Sequence, residues 1–554
     1  MGAKLKWSTL IFLALLSLAF SLPVAGSAYE MMLCKKESVV DQNGHSSAPE
    51  PLKVGTDSYK ADPAQILAPP NAQKWKTLEQ YAGTLTRSDF DHRLHSIFDP
   101  TGAIYPFLTV SDESVQIFLD PSKRGSPVAE VPFATKDYRR PSPAGFRKPA
   151  EVQNAAAPAT KPLAGLRVVV DPADIGGKWA RMENRAQSYK GFGEVREGDC
   201  NLLVAKILTA KLEALGAKVF LTHSTNEPVS GLKPEELMEP AAAFLIERPK
   251  LLPKAFFDRA QGLPKKHPKA VQIAAEVLLT KTVEARARAE KVRNEFQPDI
   301  TLVLQHDATP RSRGGGFARS NRNIFFIHGA YTPHELTEDP HQRFKMLSKL
   351  LADVTPIEAT VADHIANRFV SMTGFQPVRY GDSKVTRSTR GNPYVVARNL
   401  ALNREHDGPV VVVEPYFMNE RGTLQRLVAG DYEGVRDISG QLRPSIYREY
   451  ADAVVLGLLD AYGYRTQYSL PASPPSPDTA LLEGLSPQAL SIPTLTKNPT
   501  PTIPLQQMLA ADPQATPFKH RVVTALTPFT RPVVLIIIGL FGVAMGLFWI
   551  FTRR

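Results

Sequence analysis

Between about residues 163 and 465, short apolar and mostly β-branched runs alternate with stripes of helical spacing, and nothing else in the chain limits its fold so tightly. Arg167-Val168-Val169-Val170, Lys218-Val219-Phe220-Leu221-Thr222, Ile300-Thr301-Leu302-Val303-Leu304 and Pro409 to Val413 read as strands. From Asn201 to Leu215, residues Leu202, Ala205, Leu208, Leu212 and Leu215 share one helical face that closes at Gly216. Ala285 to Phe296 is a second, charged helix. Strands without polar alternation are buried on both faces. The pattern therefore predicts an α/β fold whose mostly parallel sheet is covered by helices on both sides.

The flanks read differently. Lys4 and Lys6 precede an apolar run from Thr9 to Leu22 and the small residues Gly26-Ser27-Ala28, which describes a signal peptide over 1–28. Residues 29–62 are polar and read as disordered. Residues 63–135 contain Ile104 to Val110 and Ser114 to Leu119, which suggest a small β-rich domain. The 47 prolines are unevenly spread. They mark a linker over 136–162, punctuate a basic insertion over 234–281 and dominate a tether over 466–530. Residues 531–554 then hold an uncharged run from Pro532 to Phe551, flanked by Arg531 and Arg553-Arg554. It is long enough for a transmembrane helix, which needs about 20 residues. Signal and anchor together predict an exported domain held at the inner (cytoplasmic) membrane by one C-terminal helix. Two cysteines, Cys34 and Cys200, cannot build a disulfide framework. The net charge of +11 suits an anionic wall or lipid surface, and no basic-aromatic constellation points to nucleic acid.

In open α/β sheets, ligands gather beyond the carboxyl ends of the strands. Three strands run out into groups able to bind a metal or move protons. After Val170 comes Asp171-Pro172-Ala173-Asp174-Ile175-Gly176-Gly177, after Leu304 comes Gln305-His306-Asp307, and after Val413 comes Glu414. Singly, each has an ordinary structural explanation in a helix cap, a core histidine or an ion pair. Together at one sheet edge they suggest metal-assisted hydrolysis.

The same pieces carry a resemblance. DPADIGG (171–177), REGDCNL (196–202), LGAKVFLTHSTNEPV (215–229), a helix with Arg286, Arg288 and Arg293, PDITLVLQHDA (298–308) and VVVVEPYFMNE (410–420) follow one another. Their order resembles the catalytic domain of the zinc-dependent N-acetylmuramoyl-L-alanine amidases. That resemblance implies metal ligands at Asp174, Glu197 and His306 and a catalytic glutamate at Glu414. It also implies one zinc ion and a peptidoglycan substrate. The family has histidine at the first ligand position, where this chain has Asp174. Aspartate is a competent zinc ligand, but two carboxylates and one imidazole neutralise a dication and form an oxygen-rich set that also suits manganese. Arg311 and Arg313 are expected to bind the carboxylates of the stem peptide. His223, His328, His334 and His341 are possible substitute ligands, His223 foremost because it follows a strand. The altered ligand leaves a second reading open, a catalytically inactive peptidoglycan-binding or regulatory protein. A zinc peptidase would share the same ligands.

Overall fold

The computed structural model describes residues 59–462, apart from 123–124, 153–159, 248–267, 310–316, 380–382, 384 and 390. The expected signal peptide, the tether and the C-terminal anchor lie outside these residues, as does nearly all of the polar segment over 29–62. Among the described residues no helix is long and apolar enough to cross a membrane.

The expectation of a β-rich region over 63–135 is corrected. Its first half is helical because three polar side chains in succession cap helix starts. Asp62 accepts from Ala64 N at 2.9 Å and starts α1 (Pro63–Leu67), with Pro63 in the first turn. Asn71 accepts from Lys74 N and starts α2 (Ala72–Lys76), and Thr86 accepts from Asp89 N and starts α3 (Arg87–Arg93). Only afterwards do β1 (Leu108–Val110), β2 (Ser114–Ile117) and β3 (Ala129–Pro132) form a three-stranded antiparallel sheet. Residues 104–107 form the approach to β1, with a 3₁₀ turn at Tyr105–Phe107. Trp75, Phe90, Phe98 and Ile104 belong to the same buried cluster as Leu302 and Val413, so this region shares the main core. The proline-rich stretch after it is also tied down. Phe146 and Val152 are buried, and Arg147 donates to Asp299 from both Nε and Nη2, at 3.0 and 2.6 Å.

The large sheet begins with β4 (Arg167–Pro172). The hairpin β5 (Ala186–Tyr189) and β6 (Gly193–Arg196) leads directly into α4 (Glu197–Ala214), and β7 (Lys218–Leu221) follows. Inside the expected insertion, α5 (Met238–Glu247) and α6 (Pro268–Leu278) bury Ala241, Leu245, Val271 and Ala275 in a cluster of their own. Next come α7 (Glu284–Glu295), β8 (Ile300–Leu304), β9 (Arg322–His328), α8 (Pro340–Leu351) and α9 (Thr355–Thr373). The short β10 (Gln376–Pro377) and β11 (Arg387–Ser388), then β12 (Val395–Arg398), β13 (Val410–Pro415) and α10 (Ile446–Ala461), complete the unit.

The strand order is β11-β12-β9-β13-β8-β4-β7, with β10 pairing β9. Strands β7, β4, β8 and β13 are parallel neighbours, whereas β9 runs antiparallel to β13. The mostly parallel, doubly covered sheet is therefore present, and β9 and β12 extend it beyond the sequence expectation. Alternate side chains face opposite layers. Val168 and Val170 join Leu208, Ile365 and Leu458 of α4, α9 and α10, whereas Val169 packs with Phe220 and Val292 of α7.

Helices α9 and α10 meet at Gly457, where an added Cβ would lie 2.6 Å from the Ile365 backbone. Gly457→Ala is expected to destabilise the protein by about 1–3 kcal/mol through overpacking, read from urea denaturation.

Candidate functional site

Register decides what meets at the sheet edge. Pro172 lies opposite Leu304, and Leu304 opposite Val413. The segments carrying Asp174, His306 and Glu414 therefore leave three adjacent parallel strands at the same end. Glu197 comes from the first residue of α4, which is pressed against the turn after β4. Gly176 and Gly198 make that approach possible, because a Cβ on Gly198 would lie 2.5 Å from Gly176 N. The turn is fixed by carboxylates: Glu183 accepts from Ile175 N and Gly176 N, and Asp199 from Gly177 N.

Asp174 occupies the left-handed region at φ 63°. Arg288 of α7, only 1% exposed, holds it there by donating to Asp174 O at 2.9 Å and Pro172 O at 2.7 Å. The same guanidinium pairs with Asp171 and Glu284, at 3.2 and 3.1 Å. Asp171 also accepts from Thr222 and His406. Burial opposes ionisation of Asp171, but the Arg288 charge and the His406 hydrogen bond hold its carboxyl well below the ordinary value. His223 belongs to this network beside Thr222. His328 pairs with Tyr331, and His341 with Glu405.

His306 is 1% exposed, and burial pulls its pKa down to about 3, so it is neutral. Asn201, one turn into α4, donates its amide to Ala173 O at 2.9 Å and turns its Oδ1 to His306 Nδ1 at 2.7 Å. Nδ1 therefore carries the proton, and Nε2 is left with a lone pair. That Nε2 is buried without a hydrogen-bond partner, and so are Glu197 Oε1 and Asp174 Oδ2. The remaining oxygens of the two carboxylates face Arg185. Its Nε is 3.6 Å from Asp174 Oδ1, and its Nη1 is 3.2 Å from Glu197 Oε2. Burial and then the Asp174 charge push Glu197 up to about 8. Glu414 is raised well above its ordinary value by burial, then by Asp307 and Glu197. A cavity of about 230 Å³ opens on Asp174, Arg185, Gln305, Arg398 and Glu414.

In chemistry these groups fit a divalent cation: a fixed imidazole lone pair and two carboxylate oxygens, each bare and buried. In position they are not closed around one. Among the described residues no three His, Cys, Asp or Glu side chains form a metal-holding group, and the Arg185 guanidinium reaches both carboxylates. Arg311 and Arg313 lie outside the described residues. Arg185, Glu183 and Asn201 were not singled out by sequence reasoning. Only Asn201 left a trace there, in the Asn-Leu pair at the start of α4.

No protein-family model and no curated protein matches the chain. Among solved structures it is similar to the N-acetylmuramyl-L-alanine amidase Ami1 from Mycobacterium smegmatis, at 13% identity and a TM-score of 0.29, over 55% of this chain and 99% of that one. The apo form of Ami1 from Mycobacterium abscessus gives 14% and 0.28, over 54% and 99%. The amidase AmiC2 of Nostoc punctiforme gives 15% and 0.26, over 53% and 96%. At such values the architecture is defined by this chain's own strand order and register.

Arg288→Met strands two buried carboxylates and is expected to lower stability by about 3–5 kcal/mol in urea melts at neutral pH. Because Asp171 has a depressed folded-state pKa, its contribution is present above the unfolded value of about 3.9 and fades as pH falls toward the folded one. Asp171→Asn should flatten that acid limb of the stability profile.

Proposed function

We propose that the chain is an exported, membrane-tethered peptidoglycan hydrolase that cleaves the amide between N-acetylmuramic acid and L-alanine of the stem peptide. The observation that carries this reading is the set of three bare buried atoms, His306 Nε2, Glu197 Oε1 and Asp174 Oδ2, at the end of the sheet where Asp174 and Glu414 line one cavity. The resemblance that the sequence motifs carry implies the substrate class. Asp174, Glu197 and His306 would hold a single zinc ion, or manganese given the oxygen-rich set. Such an ion, when bound, supplies Lewis acidity toward a water molecule and the substrate carbonyl.

The protein's own groups do the rest. Asn201 keeps the His306 ring in the tautomer that presents Nε2, and Arg288 keeps the Asp174 turn in place. Glu414 takes a proton from the attacking water and gives it to the leaving amine nitrogen as the C–N bond breaks. Burial, which raises its carboxyl, suits it to carrying that proton. Arg398 lines the cavity and would receive a carboxylate of the stem peptide.

A second reading is favoured by one observation. Arg185 sits against both Asp174 and Glu197 and already supplies them with positive charge. A domain that binds wall fragments without cutting them would have no need of a metal.

Glu414→Gln is expected to lower release of stem peptides from purified peptidoglycan by at least about a hundredfold, measured by mass analysis of the soluble fragments. A chelator should do the same, and elemental analysis should find one metal equivalent that His306→Ala removes. Metal-free protein that still sediments with peptidoglycan and releases nothing would establish the binding-only reading instead.

A further inference from the structure

Helix α7 separates two cavities. It turns Glu284, Ala285 and Arg288 to the site described above, and Arg286, Ala289, Glu290 and Arg293 to a second cavity of about 340 Å³. The other walls of the second cavity are the stretch from Gln65 to Asn71 with Lys74 of α2, and His341, Phe344 and Lys345 of α8. The N-terminal segment, to which the sequence assigns no role, thus completes a pocket on the far side of α7.

The charges of this pocket do not cancel. Four cations, Lys74, Arg286, Arg293 and Lys345, line it against the carboxylates of Glu290 and Glu405. Those carboxylates are already engaged. Glu290 accepts from Tyr59 at 2.8 Å, and Glu405 takes His341 on one oxygen and Arg404 on the other. Asp407 shares its single negative charge between two of the cations, pairing with Arg293 and with Lys345 at 2.8 Å. Lys74 is left without an ion pair among the described residues, and Arg286 keeps only a long one to Glu405. The Lys74 ammonium lies 5.7 Å from the centre of the Phe344 ring. Arg286 donates one Nη to Ile66 O at 2.9 Å, but its buried Nε has no hydrogen-bond partner, and the Glu405 carboxylate is 3.8 Å away. Desolvation, reinforced by the Arg293 and Lys345 charges and opposed by Asp407, holds Lys74 below the ordinary lysine value.

We propose that this second cavity binds a compact anion bearing a carboxylate or phosphate group, received by Lys74 and Arg286 at the seam between the N-terminal segment and α7. Its volume falls in the range of small-ligand sites. A cation pair with a flat guanidinium on one side and a mobile ammonium on the other is suited to an oxyanion. The ligand is anionic because the pocket already holds excess positive charge, and compact because Phe344 and the Pro69-Pro70 wall bound it. This inference is independent of what the first site does.

The test uses the full-length protein in detergent, titrated calorimetrically with sodium phosphate and separately with sodium acetate, at ionic strength held constant with chloride. Saturable binding of one equivalent of either probe is expected. Phosphate alone would point to a phosphate-bearing ligand, and acetate to a carboxylate. Lys74→Ala should weaken binding by about tenfold, as loss of one charge-assisted hydrogen bond implies, and Lys74→Arg should restore it. Glu414→Gln should leave it unchanged. No saturation by either probe, binding indifferent to Lys74→Ala, or binding lost in Glu414→Gln would each overturn the proposal.

Discussion

The rest of the site depends on one buried guanidinium. Arg288 reaches from α7 to the end of β4 and donates to the carbonyls of Pro172 and Asp174, while Asp171 and Glu284 neutralise it. A buried charge is tolerable only when its partners are complete, and here they are nearly so. The consequence is geometric. The exit of β4 cannot drift away from α7, so the turn carrying Asp174 stays beside the start of α4. Glu284 extends the tie by accepting from Val229 N and Ser230 N, which anchors the loop after β7. One helix therefore fixes the turn that carries Asp174, a neighbouring loop and the wall between two cavities.

The parts of this arrangement that follow from pattern were legible in the sequence. Strands β4, β7, β8 and β13 are continuous apolar runs, and such runs are buried on both faces wherever they occur. Because all four are parallel neighbours, the residues just after three of them had to emerge at one edge. What the sequence concealed arises from contacts between distant segments. Arg185 lies in a loop without periodicity, and only the folded chain brings it to Asp174 and Glu197. The N-terminal helices were hidden because each is short and begins with a cap, Asp62, Asn71 or Thr86, rather than with a long amphipathic stripe. Strand β9 is as apolar as its neighbours at Ile324 to Ile327, but it enters antiparallel to β13, outside the β-α alternation that made the other strands readable.

Position 174 joins these two kinds of information. Its backbone is left-handed, a conformation that costs most side chains energy but that aspartate, with its short polar side chain, adopts more readily than most. The turn can hold this conformation because Gly176 and Gly177 take up the following positive φ angles and Arg288 fixes the Asp174 carbonyl. Aspartate at this position thus agrees with the backbone, but it adds a negative charge to a site that already contains Glu197 and Glu414. Arg185 answers that charge. It engages one oxygen of Asp174 and one of Glu197 and leaves the other oxygen of each bare. A guanidinium that had wholly replaced a dication would be expected to satisfy the surrounding lone pairs, since leaving each one buried and unpaired costs about 1–3 kcal/mol. Here His306 Nε2, Glu197 Oε1 and Asp174 Oδ2 are all unmet after Arg185 is counted. An electropositive partner would meet the His306 and Asp174 atoms, as the proposed hydrolytic reading requires, and would draw the raised Glu197 carboxyl back toward ionisation.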